Sequence, residues 1–231
     1  VSIRDNLAEV ERRIAEACAR AGRTRDDVTL VAVSKTFPAE AVDEAIAAGV
    51  RDVGENRVQE ARDKKPLVRG SARWHLIGHL QSNKAKDAVN LFDVVQTVDS
   101  LALAEKLARA ATRPIEVLLQ VNIGGEDQKS GIDRAEVEAV VRGVRAMPEL
   151  RLAGLMAIPP IGDSRPYFQA MKVMRDALGL EQLSMGMSDD YEAAIEEGST
   201  IVRIGRAIFG ARNAGFQPAG EPATGRPGAA G

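Results

Sequence analysis

The sequence predicts an α/β protein, a single (β/α)8 TIM-type barrel preceded by an extra N-terminal helix. Three observations carry this reading. Eight short β-branched runs alternate with amphipathic stretches rich in Ala, Glu, Lys and Leu. Several runs, such as Leu30-Val31-Ala32-Val33 and Val117-Leu118-Leu119-Gln120-Val121, are apolar with little alternation, as in strands of a parallel sheet covered on both faces. Each run is followed by a helical pattern, the repeat of a closed barrel. A doubly wound open sheet shares this alternation, but no G-x-G-x-x-G follows the first run.

The first helix is expected over residues 3–18, with Ile3, Leu7, Val10, Ile14 and Ala17 on one face. Ser2 is its N-cap and Gly22 its stop. Strands are expected at Val28–Val33, Asp52–Val53, Trp74–Ile77, Asp93–Thr97, Ile115–Val121, Leu152–Met156, Gln182–Ser184 and Ile201–Ile204. Helices are expected between them at 39–48, 56–68, 82–89, 100–111, 133–146, 164–178 and 189–197, with a short one at 205–210. The barrel thus spans residues 1–212, and 213–231 form a Gly-, Pro- and Ala-rich tail expected to be flexible.

Composition excludes several function classes. Thirty-one Lys and Arg against 33 Asp and Glu give a net charge of −2, which excludes nucleic-acid binding by bulk charge. One cysteine, Cys18, excludes an internal disulfide and fits a reducing cytoplasm. Together with two histidines, His75 and His79, it cannot make a Cys/His zinc cage. No apolar run approaches the ~18 residues of a membrane span. The charged N-terminus has no secretory h-region.

Barrel chemistry gathers at the carboxyl ends of the strands. Lys35 leaves the first, where partial desolvation favours a neutral amine able to attack a carbonyl. The bland alternative is a lysine salt-bridged to Glu55. Ser188, Gly205 and Arg206 occupy the loops after strands seven and eight, the usual phosphate position of such barrels. For Ser188 the alternative is an ordinary N-cap hydroxyl. Alternation turns Arg203 away from Val202 and Ile204 and into the barrel, where it needs an acceptor. Either Glu55 or a heteroaromatic nitrogen of a ligand would serve.

Other features have plainer readings. His75 is read as packed and His79, in a loop, as the better site candidate. The eight Lys and Arg of residues 56–86 form a solvated face, with an anion or partner surface as the minority reading. Met185 and Met187 fill the core. The polar segment 124–131 is a candidate lid at the barrel mouth. Lys35, the phosphate loops and Arg203 together suggest pyridoxal 5′-phosphate.

Five segments carry a family resemblance: Val31-Ala32-Val33-Ser34-Lys35-Thr36; Gly54-Glu55-Asn56-Arg57-Val58-Gln59-Glu60; Trp74 to Lys84; Leu183-Ser184-Met185-Gly186-Met187-Ser188-Asp189-Asp190; and Val202-Arg203-Ile204-Gly205-Arg206-Ala207-Ile208-Phe209-Gly210. From about residue 3 to 212 the chain resembles the pyridoxal phosphate homeostasis proteins, whose barrel is like the N-terminal domain of alanine racemase. The resemblance implies that Lys35 is the Schiff-base lysine holding pyridoxal 5′-phosphate covalently. It implies that Ser188, Gly205 and Arg206 hold the phosphate, the last two through backbone N–H groups. Arg203 would face the pyridine nitrogen, Asn56 would line the pocket near the ring, and His79 belongs to the same set. The implied role is a cytoplasmic monomer that buffers or delivers the cofactor, with transient contact to pyridoxal-phosphate-dependent apo-enzymes. It implies neither a nucleic-acid partner nor a membrane partner.

Two alternatives come from other classes. A racemase-like enzyme needs an acid/base on each face of its substrate. In alanine racemase the resemblance puts the second one, a tyrosine, on a separate domain, for which residues 213–231 leave no room. Tyr167 and Tyr191 lie in or beside helical patterns. An arginine on the ring nitrogen also leaves that nitrogen unprotonated, a poorer electron sink. A colourless Schiff-base aldolase acting on a phosphorylated substrate is the third reading.

Overall fold

A computed structural model describes residues 2–126 and 130–210. Eight parallel strands close into a barrel, β1 Thr29–Val33, β2 Asp52–Glu55, β3 Arg73–Leu76, β4 Val94–Val98, β5 Ile115–Gln120, β6 Leu150–Met156, β7 Gln182–Ser184 and β8 Ile201–Ile204. Each pairs with the next, and β8 returns to β1 in the register Val31↔Arg203. Helices α2 Ala39–Ala47, α3 Val58–Lys64, α4 Ala85–Leu91, α5 Leu101–Ala110, α6 Val137–Arg145, α7 Arg165–Ala177 and α8 Tyr191–Glu196 fill the crossovers. The short α9, Arg206–Phe209, follows β8, and α1, Ile3–Arg20, precedes β1.

The ends of α1 follow its sequence. Ser2 Oγ accepts from the Asp5 N–H at 3.1 Å, and the Asp5 carboxylate accepts from Ser2 in return. Gly22, at φ 65°, lets the Gly22 N–H reach the Ala19 carbonyl and the Arg23 N–H reach the Cys18 carbonyl, which ends the helix. Leu7, Val10, Ile14, Ala17 and Cys18 are buried. Arg13 and Arg20 pair with Glu192, Arg20 also with Glu196, and the Asn6 amide donates to the Ile208 carbonyl at 3.0 Å. The extra helix is thereby tied to α8 and α9, beneath the loops after β7 and β8.

Strand alternation sorts the core into two regions. Val31, Val94, Leu118, Ala153, Met156 and Ile201 pack together inside the barrel. Their neighbours Ala32, Val95, Val117, Leu119, Val202 and Ile204 pack outward against the helices. Such burial stabilises by roughly 25 cal/mol per Å² of apolar surface. Between β6 and β7 a Cβ on Gly154 would lie 1.9 Å from the Gln182 carbonyl oxygen, so no side chain fits there.

Several expected boundaries move. The second strand runs on to Glu55 and the sixth begins at Leu150. The helix expected over 56–68 stops as an α-helix at Lys64, and Lys65–Leu67, containing Pro66, is a 3-10 turn. The helix expected at 133–146 begins at Val137, and that at 189–197 at Tyr191. The 213–231 tail lies outside the described residues, as do residues 127–129 of the expected lid. Among the described residues no helix is long and apolar enough to cross a membrane, and no cluster of three metal-ligating side chains occurs.

Candidate functional site

At the carboxyl ends of β1, β2, β7 and β8 a cavity of about 390 Å³ opens. Its lining includes Lys35, Asn56, Ser188, Arg203, Gly205 and Arg206, so six of the seven expected site residues meet in one place. The seventh, His79, is not among the lining residues. Its Nδ1 lies 3.4 Å from an Asp99 carboxylate oxygen and 3.5 Å from Ser130 Oγ, in the loop after β3.

Lys35 sits half-buried in a tight turn, closed by the Phe37 N–H donating to the Ser34 carbonyl at 3.0 Å. The next residue, Thr36, has φ 68° and is the only non-glycine with positive φ among the described residues. A β-branched residue is strained there and must be held. Buried Lys64 supplies the hold: Nζ donates to the Ser34 carbonyl at 2.8 Å, to Glu55 Oε1 at 2.6 Å and to Glu60 Oε1 at 3.0 Å. Glu60 also accepts from the Thr36 N–H, and Ser34 Oγ donates to Glu55. Burial pushes the Glu55 carboxyl up to about 7, against the pull of Lys64.

This cluster corrects three expectations. Glu55 is engaged by Lys64 and Ser34, not by Lys35 or Arg203. Lys64 belongs to no solvated face, because it is 4% exposed. Its signal was the Glu60-to-Lys64 spacing of four beside a carboxylate ending a strand, a pattern equally at home on a solvated helix.

Arg203 points inward from β8, as alternation requires. It donates to Ser184 Oγ at 2.6 Å and to the Ala157 carbonyl at 3.0 Å. Among the described residues no carboxylate lies within ion-pair distance of it. Burial lowers it to about 10, partly offset by Asp190, so it stays a cation near neutrality. Two of its five N–H groups have protein acceptors, and the residue is part of the cavity lining.

The opposite wall suits an anion. Ser188 lies in the turn before α8, whose N-cap is Asp190, so Ser188 is not the N-cap. Gly205 caps α9; the Ile208 and Phe209 N–H groups donate back to its carbonyl, which leaves those of Arg206 and Ala207 with no acceptor within the helix. A Cβ on Gly205 would come within 3.0 Å of the Val33 carbonyl, so the space beside this turn depends on glycine. The Arg206 guanidinium is exposed and pairs with Asp189 at 2.6 Å, and both residues belong to the cavity lining. Val33, Phe37, Ile77, Ile158 and Met187 supply apolar walls. Met187 is 38% exposed and so corrects the expected core filler, whereas Met185 is buried. Phe37 stacks on Phe209 at 5.2 Å and ties the Lys35 loop to α9. Sequence reading missed these walls, because lone apolar residues in loops look alike whether they line a cavity or a core.

Comparison with known proteins defines the class first. The alanine racemase N-terminal domain family matches residues 6–213. Alanine racemase from Corynebacterium glutamicum, at 18% identity and TM-score 0.66, shares the fold over 95% of this chain and 64% of that one. Nearer relatives are specific. The pyridoxal phosphate homeostasis protein of Pseudomonas aeruginosa is 48% identical over 93% of this chain and 97% of its own length. That of Escherichia coli K12 is 46% identical over 91% and 97%. PipY of Synechococcus elongatus, solved with pyridoxal phosphate bound, superposes at TM-score 0.77 with 39% identity, over 85% of this chain and all of that one. This chain belongs to the family of pyridoxal phosphate homeostasis proteins, built on the alanine racemase N-terminal barrel.

Proposed function

We propose that this chain holds pyridoxal 5′-phosphate in the cavity and serves intracellular homeostasis of that cofactor by buffering or delivering it. The observation that carries the reading is the pairing, in one wall, of Lys35, which has no hydrogen-bond partner among the described residues, with Arg203, a buried cation lacking a carboxylate. A buried charge of that kind needs an acceptor. Bound there, pyridoxal phosphate supplies an aldehyde for an amine, a pyridine nitrogen for a donor and a phosphate for backbone N–H groups.

Each part of the wall then has its task. Lys35 anchors the aldehyde covalently, and the Thr36 turn fixes where its amine stands. Ser188 and the backbone at Gly205 and Arg206 hold the phosphate. Arg203 donates to the ring nitrogen, and Asn56 borders the ring. His79 stays outside the described lining, in reach of Ser130. The chain works as a cytoplasmic monomer whose transfer partners are apo-enzymes met transiently.

The enzyme readings fare less well on the same geometry. Lys35 is the only lysine, histidine, tyrosine or cysteine in the described lining, and the one carboxylate there, Asp189, is paired with Arg206, so the described lining offers racemisation no uncommitted second base. Tyr191 is buried under α1 and Tyr167 is absent from the lining. An arginine that is a cation near neutrality keeps the ring nitrogen unprotonated and weakens carbanion stabilisation. The relatives carry the homeostasis name rather than that of a reaction.

The test is an absorption titration of wild type and Lys35→Ala with pyridoxal phosphate. Wild type is expected to develop a visible band that borohydride fixes to Lys35. The variant is expected to lose at least about tenfold in affinity, about 1.4 kcal/mol. A colourless wild type with excess cofactor sinks the reading and favours the aldolase. Robust racemase turnover abolished by Lys35→Ala would favour the enzyme.

A further inference from the structure

The barrel interior is apolar around Val31, Leu118 and Ile201, yet a row of buried polar side chains crosses it. Arg203 NH1 meets Ser184 Oγ at 2.6 Å, and Ser184 Oγ meets Gln96 Oε1 at 2.6 Å. Gln96 Nε2 meets His75 Nδ1 at 3.0 Å, and His75 Nε2 meets Asp52 Oδ1 at 2.8 Å. His75, Gln96 and Ser184 are at most 1% exposed, and they come from three different strands. The proposed binding role uses none of them directly.

Chemistry fixes the direction of every bond. A guanidinium can only donate, so Ser184 Oγ accepts from it and must send its own proton elsewhere. That proton goes to Gln96, which therefore presents its carbonyl to Ser184. A flipped amide would leave the hydroxyl proton with no acceptor. The Gln96 NH2 then faces His75 Nδ1, which must carry a lone pair. The ring proton sits on Nε2 and points at the Asp52 carboxylate. Every donor along the row points away from the cavity, from a cation at one end to an anion at the other.

We propose that Ser184, Gln96, His75 and Asp52 form a one-way hydrogen-bond chain that positions the Arg203 guanidinium for the ring nitrogen of the bound cofactor. The inference rests on the pyridoxal phosphate reading above. Arg203 has no carboxylate of its own, and the chain brings it the influence of a distant one through polarised neutral groups. Packing alone would not select this arrangement. Apolar side chains would fill the same strand positions without burying hydroxyl, amide and imidazole groups. These four residues are positioning residues, since none of them borders the cavity.

Two measurements test the chain. In 15N-histidine-labelled wild type without cofactor, His75 is expected as the neutral Nε2–H tautomer at neutral pH. An Nδ1–H tautomer or an imidazolium overturns the chain, whatever the cofactor does. In absorption titrations with pyridoxal phosphate, Gln96→Met and Ser184→Ala are expected to weaken binding about tenfold, the loss of one hydrogen bond to a charged group. Both are also expected to shift the visible band of the bound cofactor, with Ser184→Thr restoring affinity and band. Folded Gln96→Met and Ser184→Ala proteins with wild-type affinity and band position overturn the proposal. Should both fail to fold, the histidine tautomer in wild type decides it. If wild type itself binds no pyridoxal phosphate, the proposed function fails, a result distinct from either of these.

Discussion

At the scale of single residues, Glu55 gives the fold a pH dependence of unusual sign. Its carboxyl sits at about 7 in the folded chain, against an ordinary 4.5. The folded state therefore binds more protons between those values, and the group's stabilising contribution is present below 4.5 and lost as pH rises through about 7. His75 works the other way, because burial lowers it and its contribution is present above its ordinary 6.5 and lost at lower pH. Comparing wild type with Glu55→Gln cancels the histidine. The stability difference, from urea unfolding, is expected to fall between about pH 5 and pH 8; a flat or rising difference contradicts the assignment. Thr36 offers a second test. Its left-handed backbone costs about 1–2 kcal/mol, which glycine relieves while loosening the unfolded chain by a similar amount. Thr36→Gly is expected to stay within about 1 kcal/mol of wild type although it deletes a half-buried side chain.

At the scale of elements, close backbone approach decides which glycines are replaceable. Alanine at Gly154 would drive a Cβ into the Gln182 carbonyl, where β6 and β7 cannot part without breaking the barrel. Gly154→Ala is expected to cost at least about 2 kcal/mol in chemical denaturation. Gly143, within α6, faces the tip of the Leu101 side chain, which can swing aside. Gly143→Ala is expected to be near neutral, since better helix propensity offsets the contact by up to about 1 kcal/mol.

The same scale shows what the sequence could convey. Strand periodicity turned Arg203 inward, and the end of a buried run placed Lys35, because both depend on neighbours in the chain. Ser188 was read beside a helix start that lies two residues further on, since Asp190 also suits a cap. Gln96 and Ser184 were silent. Each is one polar residue in a strand, and their meeting 88 positions apart exists only once the sheet has curled round. Lys64 was misread because an i,i+4 charge pair has the same spacing in water and in a core.

Over the whole molecule, α1 acts as a strap beneath the loops that carry Ser188 and Gly205. Ile14 is fully buried in it, and Ile14→Ala is expected to cost about 2–4 kcal/mol in urea unfolding while Lys35 and its turn stay unchanged. The seam between β1 and β8 has a wider consequence. Lys35 follows the first strand of the barrel and Arg203 lies on the last, side by side only because the ring shuts. During synthesis the amine emerges early and its pocket is finished last. A nascent chain or a fragment truncated before β8 would display the lysine without the wall that completes it, so capture of the cofactor would certify that the barrel had closed.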